Sequence, residues 1–171
     1  DGDIASQMLV DHIERRIIDD DVSSIYDLRV TIQQANAAIY QYAQSELDGA
    51  TMGTTLTLLF INDGYFHCLW VGDSRIYQLR HNVFTQKTRD HSQVMDLVDQ
   101  GLLALEDAES HPLANVITRA IGVDEYVTID QVSGQLLDGD QFLLCSDGLT
   151  KELSDQELSL IHISEPTRPL H

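Results

Sequence analysis

The sequence predicts an α+β fold, with antiparallel strands packed beneath amphipathic helices. Up to Leu47 the apolar residues recur at helical spacing, and from Thr54 they fall into short β-branched runs broken by turn residues. No helical stretch separates the first of these runs, so they pair as hairpins in a meander rather than as βαβ units.

Residues 4–20 place Ala5, Met8, Leu9, Ile13 and Ile17 on one helical stripe, with Asp3 as the expected cap. A second helix is predicted from Ile25 to Leu47, with Ile25, Leu28, Ile32, Ala35, Ile39 and Ala43 facing a core. Its Gln- and Asn-rich opposite face is expected to stay wet. Gly49 ends it. Strands follow at Thr54 to Ile61 and Tyr65 to Val71, joined by the hairpin residues Asn62-Asp63-Gly64. Arg75 to Arg80 and Val83 to Gln86 form a second pair, turned at Asn82, which tolerates positive φ. Ser92 caps a short helix through Val94, Leu97 and Val98 to Gly101. Residues 102–118 read as helical pieces around His111-Pro112. The last two strands are Tyr126 to Val132 and Gln141 to Cys145. Ser154 and Glu157 make a capping box that should open a further helix. Residues 158–168, LSLIHISEPTR, resemble a translated sequencing-library adaptor, so 158–171 is set aside as a non-native tail.

The chain has 171 residues and 43% hydrophobic content, enough for one domain with a sizeable core. Ten basic against 28 acidic residues give a net charge of −18. With no basic patch to neutralise phosphates, nucleic acid is excluded as a partner, and an anionic membrane surface is disfavoured. No apolar run approaches the ~20 residues that cross a bilayer, and there is no secretory signal pattern. Cys68 and Cys145 both lie in apolar strand-like runs and read as reduced core thiols, which points to the cytoplasm.

Two apolar runs end alike. YFHCLWVGDSR sets Asp73 just past Val71-Gly72, and DQFLLCSDGL sets Asp147 just past Cys145-Ser146. Each alone is ordinary turn chemistry. Two carboxylates at neighbouring strand ends would repel, however, and a divalent cation resolves that conflict. Oxygen-only ligation selects Mg²⁺ or Mn²⁺ over zinc. Ser74 and Ser146 lie outside any G-x-S-x-G elbow, and His67, His81 and His91 match no zinc spacing. Arg75 and Arg119 could contact phosphate, although salt bridges are the plainer role for them in so acidic a chain.

Taken in order, GTT at 53–55, VGDSRIY at 71–77, DHS at 90–92, ITRAIG at 117–122 and FLLCSDGL at 142–149 resemble the bacterial metal-dependent protein serine/threonine phosphatases (PPM, or type 2C). The resemblance covers residues 1–157. It implies a four-layer α/β/β/α sandwich of two antiparallel sheets flanked by helices. It also implies two core Mg²⁺ or Mn²⁺ ions bridged by water or hydroxide, with a third nearby in bacterial members. Asp147 matches a core metal ligand, Asp73 a third-site ligand, and Asn115 stands where a serine can join that site. The family's first arginine motif and Asp-Gly-x-Gly-Gly turn would precede residue 1, and its closing Asp-Asn motif would follow 157. The expectation is therefore a partial domain, truncated at both ends and inactive by itself. The parent would hydrolyse phosphoserine or phosphothreonine on a phosphoprotein in a serine/threonine kinase pathway. The alternative is a phosphatase-like module that binds phosphoproteins without hydrolysis.

Overall fold

In the computed structural model, residues 2–145 are the described part of the chain. Helix α1 (Gly2–Ile18) buries Ala5, Leu9 and Ile13, and α2 (Ile25–Glu46) buries Leu28, Ile32, Ala35, Ile39 and Ala43. Both stripes follow the three-to-four residue spacing that brings side chains onto one helix face. Ser24 caps α2, its hydroxyl accepting the Asp27 amide, an arrangement worth about 1 kcal/mol. Asp3 is not the cap of α1. It lies inside the first turn, where its carboxylate complements the helix dipole.

Strands β1 (Leu56–Asn62) and β2 (Tyr65–Val71) form a hairpin around Asp63 and Gly64, at φ of 51° and 78°. Strands β3 (Arg75–Arg80) and β4 (Val83–Gln86) repeat the device with His81 and Asn82, at 50° and 62°. The expected meander is divided between two sheets. One has the order β1-β2-β5, with β5 at Asp130–Gln135, and the other β4-β3-β6, with β6 at Gln141–Cys145. All pairings are antiparallel. The chain leaves the first sheet at Val71 and enters the second at Arg75, so Gly72-Asp73-Ser74 is the corner between them.

Strand alternation then builds two cores. Leu56, Leu58, Leu69 and Val71 face the helices, whereas Leu59, Phe66 and Cys68 face Ile76 and Phe142 of the other sheet. Helix pair, sheet and sheet are thus three of the four expected layers, among the described residues. Each such buried side chain contributes about 2 kcal/mol of apolar burial.

Two predicted segments differ. The strand expected from Tyr126 begins only at Asp130, because side chains occupy the backbone before it. Gln33 bonds both the amide and the carbonyl of Val127, Arg119 takes the Thr128 carbonyl, and Arg29 takes that of Ile129. Around His111-Pro112 the predicted helical pieces reduce to one 3-10 turn, Leu105–Asp107. Pro112 disfavours helical backbone at His111, whose Nδ1 instead accepts the Leu113 amide at 3.0 Å. The short helix α3 (Gln93–Asp99) does form, capped by Ser92 as predicted. No helix among the described residues is long and apolar enough to cross a membrane. The capping box at Ser154 and the segment 158–171 lie outside the described residues.

Candidate functional site

The corner at Gly72 organises the site. Gly72 has φ of +111°, and a Cβ there would stand 2.5 Å from Thr55 Cγ2. Thr55 Oγ1 in turn lies 3.2 Å from Ser74 Oγ, so the GTT stretch packs against the GDS corner. On its other side Thr54 exchanges two backbone hydrogen bonds with Ile121, at 3.0 and 2.8 Å. The DHS stretch closes the ring. His91 donates its amide to the Gly72 carbonyl, the Gly72 amide donates to His91 Nδ1, and Thr118 donates to the His91 carbonyl, each at 2.9 Å. Four segments distant in sequence are therefore bonded to one another around one glycine.

Asp73, only 7% exposed, lines a cavity of about 280 Å³ together with Asn115, Arg75, Asp90, Glu109 and His111. Two of the three sequence-predicted site residues, Asp73 and Asn115, are thus brought to one cavity. Asp147, the third, lies outside the described residues. Cys145, two positions before it in the chain, stands directly across from Arg75, two positions after Asp73.

Asp90 lines the same cavity, although in the sequence it stands out only as part of the DHS stretch. Its signal was the motif, but its place depends on a pairing 15 residues back. Arg75 grips it with two nitrogens, Nε at 3.0 Å from Oδ1 and Nη2 at 2.9 Å from Oδ2, and reaches the Tyr77 hydroxyl at 3.0 Å. Burial disfavours the charged guanidinium, but the hydrogen bond and charge of Asp90 outweigh it and raise the Arg75 pKa above its ordinary value. Arg119 is likewise ion-paired, 3.1 Å from Asp130. Both arginines take the salt-bridge role.

The donor set is oxygen-rich, which suits a hard cation. Among the described residues, no group of three or more His, Cys, Asp or Glu side chains could hold a metal ion. His67, His81 and His91 are dispersed. His67 bonds Ser133 at 2.7 Å, His81 sits in the β3–β4 turn, and His91 bonds Asp130 at 2.7 Å. Both cysteines are buried as expected. Burial pushes the Cys68 thiol up to about 12, with Lys87 drawing it partly back.

Comparison with known proteins agrees with this architecture. Residues 2–170 match the family described as protein phosphatase 2C. A serine/threonine phosphatase, stp, of Listeria monocytogenes is 38% identical over 97% of this chain and 68% of its own length. The structure of PppA, a key regulatory component of T6SS in Pseudomonas aeruginosa, superposes with a TM-score of 0.76 at 41% identity, covering 92% of this chain and 64% of that one. The catalytic domain of the phosphatase PstP, solved in complex with two manganese ions, gives 0.78 at 32% identity, over 92% and 66%. The chain belongs to the protein phosphatase 2C family of serine/threonine protein phosphatases. It spans about two thirds of the length of these three relatives.

Proposed function

We propose that the whole protein hydrolyses phosphoserine and phosphothreonine on proteins in a metal-dependent reaction. One observation carries the reading: a buried aspartate on the corner between two sheets, Asp73, shares a cavity with Asn115, Asp90 and Glu109. Cys145, opposite Arg75, brings the strand that leads to Asp147 to the same corner. In this reading Asp147 holds a core Mg²⁺ or Mn²⁺, and Asp73 and Asn115 serve an accessory ion. Bound divalent ions would supply the charge that offsets phosphate and the Lewis acidity that brings water towards ionisation at neutral pH. Arg75 and Asp90 neutralise each other, so they shape the cavity without adding net charge to it. The substrate is a phosphoprotein of a kinase pathway in the cytoplasm, and the net charge of −18 makes bound cations necessary to admit a dianionic phosphate.

The reading expects residues 1–171 to turn over little alone, because the core ions need donors besides Asp147. Hydrolysis of a phosphothreonine peptide with Mn²⁺ tests it, on this chain and on one lengthened to its relatives' size. The lengthened chain should be active and should lose at least about a hundredfold on Asp147→Ala. Asp73→Ala should cost less, about tenfold, and should raise the Mn²⁺ requirement. Activity without added divalent ion, or unchanged by both substitutions, would refute it. The boundary at 157 belongs to the same proposal. The family match runs on through 158–170, so deleting 158–171 is the check, and an unchanged melting temperature is the expected result.

A further inference from the structure

We infer that His91 is a positioning residue: locked as the neutral Nε2–H tautomer between Asp130 and the Gly72 amide, it fixes the corner that carries Asp73. The hydrogen count forces the tautomer. The Gly72 N–H points at Nδ1 from 2.9 Å, so Nδ1 must be bare. A neutral ring then carries its hydrogen on Nε2, which lies 2.7 Å from Asp130 Oδ2 and donates to it. Arg119 Nη1 is also 3.0 Å from Nε2, but its two hydrogens have other acceptors, the Thr128 carbonyl at 3.2 Å and Asp130 Oδ1 at 3.1 Å. That nitrogen therefore steadies Asp130 rather than donating to the ring.

The ring is also held mechanically. His91 is 7% exposed and stacks on Trp70, with centroids 6.0 Å apart and planes 13° from parallel. Trp70 is itself fixed, its indole donating to the Arg89 carbonyl at 2.8 Å, and Asp130 is its cross-strand partner on β5. Asp130 of the first sheet thus acts through His91 on the backbone at Gly72, where the chain turns into the second. Asp130 lies 2.7 Å from the ring nitrogen and 3.1 Å from Arg119, so it accepts from both as a carboxylate. Carboxylate–imidazole pairs fix the tautomer and direction of metal-ligating histidines in the same way. Here the oriented nitrogen receives a backbone amide beside a carboxylate. The inference rests on the phosphatase reading only for its consequence at Asp73.

Long-range ¹⁵N NMR of the uniformly labelled 171-residue chain should show a bare Nδ1 and a protonated Nε2, with slow exchange of the Gly72 amide. His91→Asn keeps an acceptor at the Nδ1 position and should preserve that protection, together with Mn²⁺ binding by calorimetry. His91→Gln reaches only the Nε2 position, leaves Gly72 without its acceptor, and should lose the protection and about tenfold in Mn²⁺ affinity. An Nδ1–H tautomer in the unmodified chain would overturn the inference whether or not the variants fold. So would a Gly72 amide equally protected in His91→Gln. If the unmodified chain takes up no Mn²⁺, the metal reading of this chain fails, while tautomer and exchange still decide the role of His91.

Discussion

Gly72 sits where two independent demands meet, a backbone at φ +111° and a wall formed by Thr55. Either demand would disfavour a side chain, and together they make Gly72→Ala costly, by about 3 kcal/mol. Gly64 is the natural control. It also has positive φ, at +78°, but nothing lies within 4 Å of where its Cβ would be. Gly64→Ala should therefore cost only the conformational part, about 1 kcal/mol. Urea denaturation of both variants separates packing from backbone strain, and equal losses would show that Thr55 yields. In the sequence the GTT stretch is legible only as a motif. Its physical content is that a threonine methyl fills the space a Cβ would take at the corner bearing Asp73.

At the level of elements, α2 contributes more than an apolar stripe. Its polar face was expected to be wet, yet Asn36 is completely buried. Its Oδ1 accepts the Gly122 amide at 2.6 Å, and its Nδ2 donates to the carbonyls of Asp124 and Glu125 at 2.9 and 3.0 Å. With Gln33 on Val127, the helix holds the backbone of 122–127, which pairs with no strand among the described residues. Asn36→Leu fits the volume but leaves the Gly122 amide without its acceptor, so it should cost about 3 kcal/mol and speed exchange of that amide. Slow exchange retained in the variant would contradict the assignment. The same side chains explain what was legible. Both hairpins were read to within a residue or two, because their turns are written locally in Asp63-Gly64 and Asn82. The start of β5 was not, because its boundary is set by Gln33 and Arg29, both far away on α2, and by Arg119 in the irregular stretch before the strand.

Across the whole molecule the two sheets are joined at Gly72-Asp73-Ser74 and again through Arg80. Arg80 leaves the end of β3 and donates to the Gln135 carbonyl at the end of β5 at 2.8 Å. It also grips both oxygens of Asp140, just before β6, at 2.8 and 2.6 Å. Sequence could name Asp73 and Asn115 from motif order, but Arg80 and Asp140 bear no motif. Only the packing of one sheet on the other reveals them. The Arg80 hydrogen bond is the main cause that lowers the Asp140 pKa, opposed by burial and helped by the Leu137 amide. The sign of the linkage follows from that depression. Asp140 contributes stability that is complete above the unfolded carboxylate value, about 4, and is lost as pH falls through its lower folded value. Asp140→Asn should accordingly lower the melting temperature by a constant amount from about pH 5 to 8, and the gap to the unmodified chain should narrow as pH falls below the ordinary carboxylate value, about 4. Melting curves across that range are the measurement. A gap as wide at the acid end as at neutrality would mean that Asp140 acts by its shape and amide contact alone, and that the sheets are not tied by its charge.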